Sequence, residues 1–502
     1  MELITKSLPA SALPLSQSHG IKISPLPSLD EADSDNRPIS TTPDPVNEKH
    51  NSRTALFCPV EIEAPLPKKS HGRIFRHVRH TFFTVYRRLF TAVFILNMVG
   101  VIVLFIRYHK STNSPALLAD FANIAAANIM VALLIRQDYI VNALFKICWS
   151  MPVSAPFRIR RIICKIYEYG GVYSGVAVCS VIWFALFTGF FTRNFSLSES
   201  ATMRDPAILT FTYILLLILL SLVITAYPRF RFSSHNMFEN MYRWGGWFSL
   251  ALFWVELVLF TNVQKGVQSL GIVLVKFPAF WFLLVSSIHA IIPWLRLHKL
   301  HVVPEKFSDH AIRLHFKEKV PLFVGLRISA SPLKEWHSFA CIPVREGTGG
   351  SVLISNAGDW TKQTIQSPRA YYWIKGIPVT GVLPMARLFK KVIVVTTGSG
   401  IGPCLGVIQD IQTKCRVIWS TPSPMATYGW EICEAVKRVD QNAVIIDTRR
   451  DGRPDLLGLA WKLYNLEKAE AVFVISNPKL TRKVIYGLES RGVPAFGPIW
   501  DS

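Results

Sequence analysis

Lys391-Val-Ile-Val-Val-Thr-Thr-Gly-Ser-Gly-Ile-Gly-Pro-Cys404 reads as a buried apolar strand that runs into a glycine turn. Gly398, Gly400 and Gly402 remove side chains where a backbone must approach a pyrophosphate. Pro403 suits the first turn of the helix that follows. Strand, glycine turn and helix are a common sequence of elements, so the turn gains its meaning from its neighbours.

Downstream, apolar runs at 392–396, 415–419, 443–447 and 471–475 alternate with helical patterns at 402–411, 430–439, 455–466 and 478–491. That alternation predicts a doubly wound parallel α/β sheet over residues 389–502. Upstream, short β-like segments at 311–316, 322–328, 338–342 and 351–355 predict a small antiparallel barrel over 302–388.

Further upstream the chain turns apolar. Half of its 502 residues are hydrophobic and the mean hydropathy is +0.30, high for a water-soluble chain of this size. Apolar runs at 89–106, 116–135, 171–191, 207–227, 246–259 (extended towards 263) and 277–297 are each compatible with a membrane span of roughly 20 residues. They predict a six-helix transmembrane domain over 71–301. Lys68, Lys69, Arg73, Arg76, Arg79, Arg87 and Arg88 precede the first run, and Arg296, His298, Lys299 and His301 follow the last. Positive charge marks the cytosolic side, so both termini are expected there. The basic amphipathic stretch after the second run, from Arg136 to Lys165, is expected to lie on the cytosolic membrane face. Residues 1–70, rich in Pro, Ser and acidic side chains, read as a disordered cytosolic tail without a cleaved signal peptide. Asn194-Phe195-Ser196 is a glycosylation sequon in a loop that the charge bias puts outside.

The net charge is +22, but Lys and Arg cluster beside the apolar runs. That favours a lipid membrane as partner and not nucleic acid, for which no zinc knuckle or RNA-binding signature is present. The eight cysteines show no CxxC spacing, and no metal site is expected.

Several stretches carry a resemblance: Tyr169-Gly-Gly-Val-Tyr-Ser-Gly175, Glu335-Trp-His-Ser-Phe-Ala340, Ala357-Gly-Asp-Trp-Thr361, Gly398 to Pro403, and Ser476-Asn-Pro-Lys479. On these, the C-terminal 200 residues resemble the ferredoxin–NADP reductase superfamily, in the branch of NADPH oxidases and ferric reductases. The chain from about 70 to 502 resembles fungal TmpA-type integral membrane oxidoreductases, and the C-terminal part of TmpL-type adenylate-forming proteins. The resemblance implies FAD and NADPH (or NADH) as cofactors. Trp336, His337, Ser338 and Phe339 stand where that superfamily carries its flavin motif, with Phe339 on the isoalloxazine and His337 near the ribityl or phosphate. Ala340 replaces the hydroxyl that bonds the flavin there. Gly358, Asp359, Trp360 and Thr361 match a flavin-phosphate element at a helix N-terminus, with Thr361 as a plausible N-cap. Arg449, Arg450 and Arg453 fit a 2′-phosphate and lean the reading to NADPH. Ser476-Asn477-Pro478 replaces the superfamily's Cys-Gly-Pro, and Trp500 is placed to stack over the flavin.

The haem-bearing relatives need paired histidines on two spans. Only His289 lies well inside a span here, so no haem is expected. Polar residues remain at membrane depth, with Asp120, Glu256 and His289 as an intramembrane pocket and Glu256 with His289 as a proton-handling pair. These features imply a membrane-anchored flavoprotein oxidoreductase that passes reducing equivalents from NAD(P)H through FAD to a small or membrane-associated acceptor. Fungal secondary metabolism and asexual sporulation signalling are both compatible settings. The alternative is a catalytically degenerate membrane signalling protein with a reductase-like fold, which Ala340 and the missing cysteine favour.

Overall fold

The computed structural model describes residues 65–112, 114–197, 206–344, 348–410 and 412–498. The tail up to residue 64 and Trp500 lie outside the described residues. Among the described residues six helices are long and apolar enough to cross a membrane. They are Val85–Arg107, Pro115–Ile135, Gly170–Leu197, Pro206–Ala226, Gly246–Gln264 and Pro278–Leu295. Their starts are locally encoded. The Thr84 hydroxyl accepts the Arg87 N–H at 3.3 Å, Ser114 caps the second helix, and proline opens the second, fourth and sixth. Tyr169-Gly-Gly-Val-Tyr-Ser-Gly175 opens the third helix against the first. A Cβ on Gly171 would collide with the Tyr86 backbone, and one on Gly175 would press on Val93 at 3.0 Å.

The stretch after the second helix departs from the sequence expectation. Asp138–Trp149 and Phe157–Cys164 turn one face into the C-terminal module and do not simply lie along a membrane. Val141, Phe145 and Cys164 are buried in one core with Ile342 and Leu353 of the barrel and with Leu405 of the α/β unit. The Asn142 amide brackets a barrel strand, donating to Pro378 O at 2.9 Å and accepting from Thr380 N at 2.8 Å. Arg160 is buried, bonding Leu388 O at 2.7 Å and Glu470 at 2.8 Å. Hydropathy cannot distinguish a helix that rests on lipid from one whose apolar stripe packs on protein. The opposite face does leave Ile147, Ile159 and Ile162 exposed.

The barrel strands are β1 (His298–His301), β2 (Val303–Lys306), β3 (Ala311–Phe316), β4 (Val324–Ser329), β5 (His337–Pro343), β6 (Gly350–Ser355), β7 (Tyr371–Ile374) and β8 (Val379–Thr380). They run in the order β1-β7-β4-β5-β6-β3-β2, with β8 on β4. Only Val302 separates β1 from β2, so the two edges of the sheet are one run of chain, and the barrel closes on itself. This run starts three residues after the sixth long apolar helix ends at Leu295.

The second sheet holds β9 (Lys391–Thr397), β10 (Lys414–Thr421), β11 (Val444–Asp447), β12 (Ala471–Ile475) and β13 (Ala495–Phe496). All pairings are parallel, in the order β11-β10-β9-β12-β13. Helices Ile401–Gln409 and Pro424–Val439 cover one face, and Leu456–Leu466 and Pro478–Glu489 the other. The sheet is therefore doubly wound. Helix Pro424–Val439 begins earlier than the apolar period suggested, because Pro424 starts a turn that breaks at Gly429 (φ 78°) before the periodic part.

Both ends of the described chain meet. Ser70 N donates to Ser490 O at 2.8 Å, and Arg491 Nε donates to Pro67 O at 2.8 Å. The segment before the first long apolar helix and the last helix of the α/β unit are thus on the same side of the helical bundle.

Candidate functional site

In a doubly wound sheet, ligands bind beyond the carboxyl ends of the strands where the winding reverses. Here that point lies between β9 and β12, and the glycine turn occupies it. Gly398 takes a left-handed conformation (φ 51°), and its carbonyl accepts the Trp419 indole N–H at 3.0 Å. Gly400 does a different job. A Cβ there would sit 2.6 Å from Ile475 O and 2.5 Å from Thr396 Oγ1, so this glycine lets the turn lie directly on β12. Gly402 and Pro403 are in the first turn of helix Ile401–Gln409, and Gly402 faces Leu353 of β6 at ordinary contact distance. The sequence reading assigned all three glycines to ligand approach. The structure divides them among chain reversal, strand packing and barrel packing. Ser476 closes the other side of the crevice, its hydroxyl 2.5 Å from Thr397 Oγ1, and Asn477 caps the next helix through Leu480 N at 3.0 Å.

The barrel presents its own loop beside this turn. β6 ends at Ser355 and leads into Gly358, Asp359, Trp360 and Thr361. Thr361 is not the N-cap. Gly358 holds that position, and Thr361 sits one turn inside, where its hydroxyl accepts the Ala357 and Gly358 N–H groups at 2.8 and 3.0 Å. The loop is therefore held from within the helix. Trp360 is buried and gathers the aromatic residues of β5. The His337 ring lies 4.4 Å from it, and the Phe339 ring lies 5.8 Å away at 24°. Ser338 points outward opposite Arg327, and Ala340 faces Gly325. Trp336 leaves this group. Its indole donates to Pro332 O at 3.2 Å, and its ring lies 6.4 Å from Trp294 of the sixth long apolar helix.

Between the two loops stand three hydroxyls that sequence reasoning missed. Tyr428 lies beside Ser355 and Thr421, with its oxygen 3.6 Å from where a Gly398 Cβ would be. All three hydroxyls are buried and close to one another, and none makes a well-aligned hydrogen bond among the described residues. Burial pushes the Tyr428 phenol up, and its two neighbours pull it back. Buried polar groups normally find partners, so these under-bonded hydroxyls at the crevice fit a polar ligand such as a dinucleotide. Nothing in the local sequence marks them, since Ser355, Thr421 and Tyr428 are distant in the chain.

The arginine loop follows β11. Asp447 organises it, accepting Ser423 N at 2.8 Å and Arg449 N at 2.9 Å. Arg450 is held by Asp451 at 2.8 and 3.1 Å, and that pairing pushes its guanidinium up. Arg449 and Arg453 are exposed.

A charged junction joins the barrel to helix Asp138–Trp149 and to the sixth long apolar helix. Asp138 pairs with Arg327 and also accepts Ile377 N at 3.4 Å. Lys375 sits over Trp294 and Trp336 at 4.4 and 4.3 Å. Burial, with Arg327 and Arg243 nearby, lowers its ammonium to about 8.

The three membrane-depth residues do not form one pocket. Asp120 accepts the Tyr108 hydroxyl at 3.0 Å near the start of helix Pro115–Ile135. His289 Nδ1 is 2.6 Å from the Tyr139 hydroxyl, on the barrel side. Glu256 is 2.6 Å from Thr212, so the Glu256–His289 pair of the sequence reading is not made. Each side chain turns to a different neighbour, Thr212 or Tyr139, and hydropathy runs do not encode which helix face meets which. The sequon also differs. Asn194 lies inside helix Gly170–Leu197 at 8% exposure, and not in a loop that could carry a bulky glycan.

Residues 382–502 match the family described as Adenylate-forming reductase 03009, C-terminal domain. The C-terminal unit is thus similar to the C-terminal domain of such proteins. Two proteins of Coprinopsis cinerea (strain Okayama-7 / 130 / ATCC MYA-4618 / FGSC 9003), Adenylate-forming reductase 03009 and Adenylate-forming reductase 06235, are each 42% identical to this chain. The likeness runs over 439 and 445 residues, 87% and 88% of this chain, and so takes in the helical bundle as well. The chain spans 42% of the length of these relatives. Among solved structures, a ferredoxin NADP+ reductase from Neisseria gonorrhoeae with bound FAD and NADP is 12% identical with a TM-score of 0.34, covering 41% of this chain and 99% of its own. A ferredoxin-NADP+ reductase from Plasmodium falciparum with 2'P-AMP is 12% identical with a TM-score of 0.32, over 40% of this chain and 95% of that one.

Proposed function

We propose that the chain is a membrane-anchored flavoprotein oxidoreductase that takes reducing equivalents from NAD(P)H and delivers them to a small or membrane-associated acceptor. One observation carries the reading. The glycine turn at the winding reversal packs on β6, the strand that leads into Gly358–Thr361, so a nucleotide loop and a flavin-phosphate loop flank one crevice lined by under-bonded hydroxyls. The relatives' names as reductases support the same chemistry.

FAD, when bound, would supply hydride acceptance and electron transfer to the acceptor. The chain's residues would bind and orient. Phe339 and Trp360 offer a flat apolar face. The first-turn N–H groups of helix Asp359–Gln366 suit phosphate oxygens. Tyr428, Thr421 and Ser355 give polar contacts in the crevice, and Arg449 with Arg453 favours a 2′-phosphate. The six helices would anchor this module in a membrane. The contact of residues 67–70 with Ser490 and Arg491, beside the basic flank at Lys68 to Arg88, supports a cytosolic position for both ends. No nucleic acid and no haem enter this scheme.

The test is an absorbance spectrum of the detergent-purified full chain before and after anaerobic NADPH. A flavin band that bleaches, without a haem band, is the expected result. Folded protein with no flavin would overturn the proposal and leave the degenerate signalling reading, which Ala340 favours.

A further inference from the structure

Glu256 is the one buried carboxyl among the described residues at mid-depth of the helical bundle. It stands ten residues, about 15 Å, from the start of helix Gly246–Gln264 and eight residues, about 12 Å, from its end. It is 4% exposed. One oxygen, Oε1, lies 2.6 Å from Thr212 Oγ1 on the neighbouring helix. The other, Oε2, is buried with no partner. The carboxyl lines a cavity of about 40 Å³ whose other walls are apolar, including Phe184, Phe187, Phe253, Phe260 and Phe277. Alanines at 122, 125 and 126 leave the space open. Such a volume takes about two or three waters, or the polar end of a longer molecule.

The hydrogen-bond count decides what the cavity accepts. The Thr212 hydroxyl has one proton and two acceptors in reach, Ile208 O at 2.9 Å and Glu256 Oε1. No cation lines the cavity, and an uncompensated carboxylate at this depth is costly. Thr212 is the donor to both acceptors, so Glu256 Oε1 is served and Oε2 remains a bare acceptor facing an apolar cavity.

We propose that this cavity is a binding site for a lipid-soluble alcohol or phenol, whose hydroxyl donates to Glu256 Oε2 and whose apolar body packs on the phenylalanines. The proposal rests on the helices lying in lipid, which alkaline carbonate extraction tests separately. It does not depend on flavin chemistry.

The experiment uses the full chain in phosphatidylcholine nanodiscs and an octanol carrying a photoactivatable diazirine. Adducts are mapped by mass spectrometry. The expected labels fall on helices Gly246–Gln264 and Pro206–Ala226. Excess octanol suppresses them and octane does not. Glu256→Gln keeps a carbonyl acceptor and retains labelling. Glu256→Leu lowers it about tenfold, the effect of one hydrogen bond to a buried group. Equal suppression by octane overturns the proposal and needs no variant. Absence of adducts on these helices, which would leave water as the occupant, overturns it too. Full labelling of Glu256→Leu does so as well, and loss in Glu256→Gln would overturn Oε2 as an acceptor.

Discussion

In β9 every residue from Val392 to Thr396 is buried, whereas in the equally apolar helix Val85–Arg107 only Leu104 is. Ile95, Leu96, Val99, Ile102, Val103 and Ile106 of that helix face outward. A strand in a parallel sheet borrows its hydrogen bonds from neighbours and must be covered on both faces. A long helix satisfies its own backbone, so it can leave apolar side chains to a lipid solvent. The two regions also treat polar groups differently. At the seam with the C-terminal module, Asn142 bonds backbone groups of a barrel strand. In the bundle, Asn97 Oδ1 accepts from Asn128 at 3.0 Å and from Trp183 at 2.8 Å, side chain to side chain.

The largest effect should come where the two regions lock. Arg160→Ala strands the Glu470 carboxylate and an unmet Leu388 carbonyl, and is expected to cost on the order of 4 kcal/mol in thermal melts of the micellar protein. It should also change the acid limb. Burial pushes the Glu470 carboxyl up, but Arg160 and the Lys390 N–H outweigh it and hold it below the usual range. A depressed carboxyl stabilises the fold above its unfolded value and loses that contribution as pH falls through its folded one. Melts of wild type should therefore fall with acid over that window, and those of the variant should fall less. Equal slopes would refute the linkage.

Next comes a contrast of glycines. Gly400→Val drives a side chain into Ile475 O and should cost about 3 kcal/mol. Gly189→Val, in a span with nothing within 4 Å, should leave the melting point unchanged. If both variants behave alike, the two regions are not packed as described.

The asparagines sharpen the comparison further. Asn142→Ala is expected to cost about 2 kcal/mol, because it leaves the Thr380 N–H and Pro378 carbonyl unmet in a packed seam. Asn97→Leu should cost about 0.6 kcal/mol, since an unfolded chain still in lipid also finds partners. Comparable losses by denaturant titration would erase the distinction.

Near neutral pH the smallest effect is at Lys375, which acts only in alkali. Its ammonium is lowered to about 8, so the folded chain binds fewer protons there than the unfolded chain at higher pH. Stability should rise from about pH 8 towards the ordinary lysine value, and Lys375→Met should flatten that rise. An unchanged slope would show that the junction is wetter than its tryptophan contacts imply.

Much of the architecture was legible along the chain. The six apolar runs, the strands around Val392 and Ala471, and the helix after Pro478 follow from periodicity and from Pro and Gly punctuation, which are local properties. So does the glycine turn at 398–402. The site was legible only in part. His337, Phe339 and Trp360 could be singled out by motif, but their common ring cluster depends on β5 meeting the helix after β6. Ser355, Thr421 and Tyr428 could not be found, because three ordinary hydroxyls become notable only when three elements bury them together. Thr361 was placed at the cap when it braces the loop from inside, a difference of three residues that only the backbone path resolves.

The sequence by itself determined the order of units, the membrane-length helices and the winding of the C-terminal sheet, because each follows from the period and length of apolar runs. Only the tertiary structure decided that the basic amphipathic stretch at 138–164 packs into the core of the C-terminal module, that Glu256 faces Thr212 and not His289, and that Gly402 after the glycine turn meets Leu353 of β6. Those facts depend on which surfaces meet across hundreds of residues, and burial energy is indifferent to sequence distance.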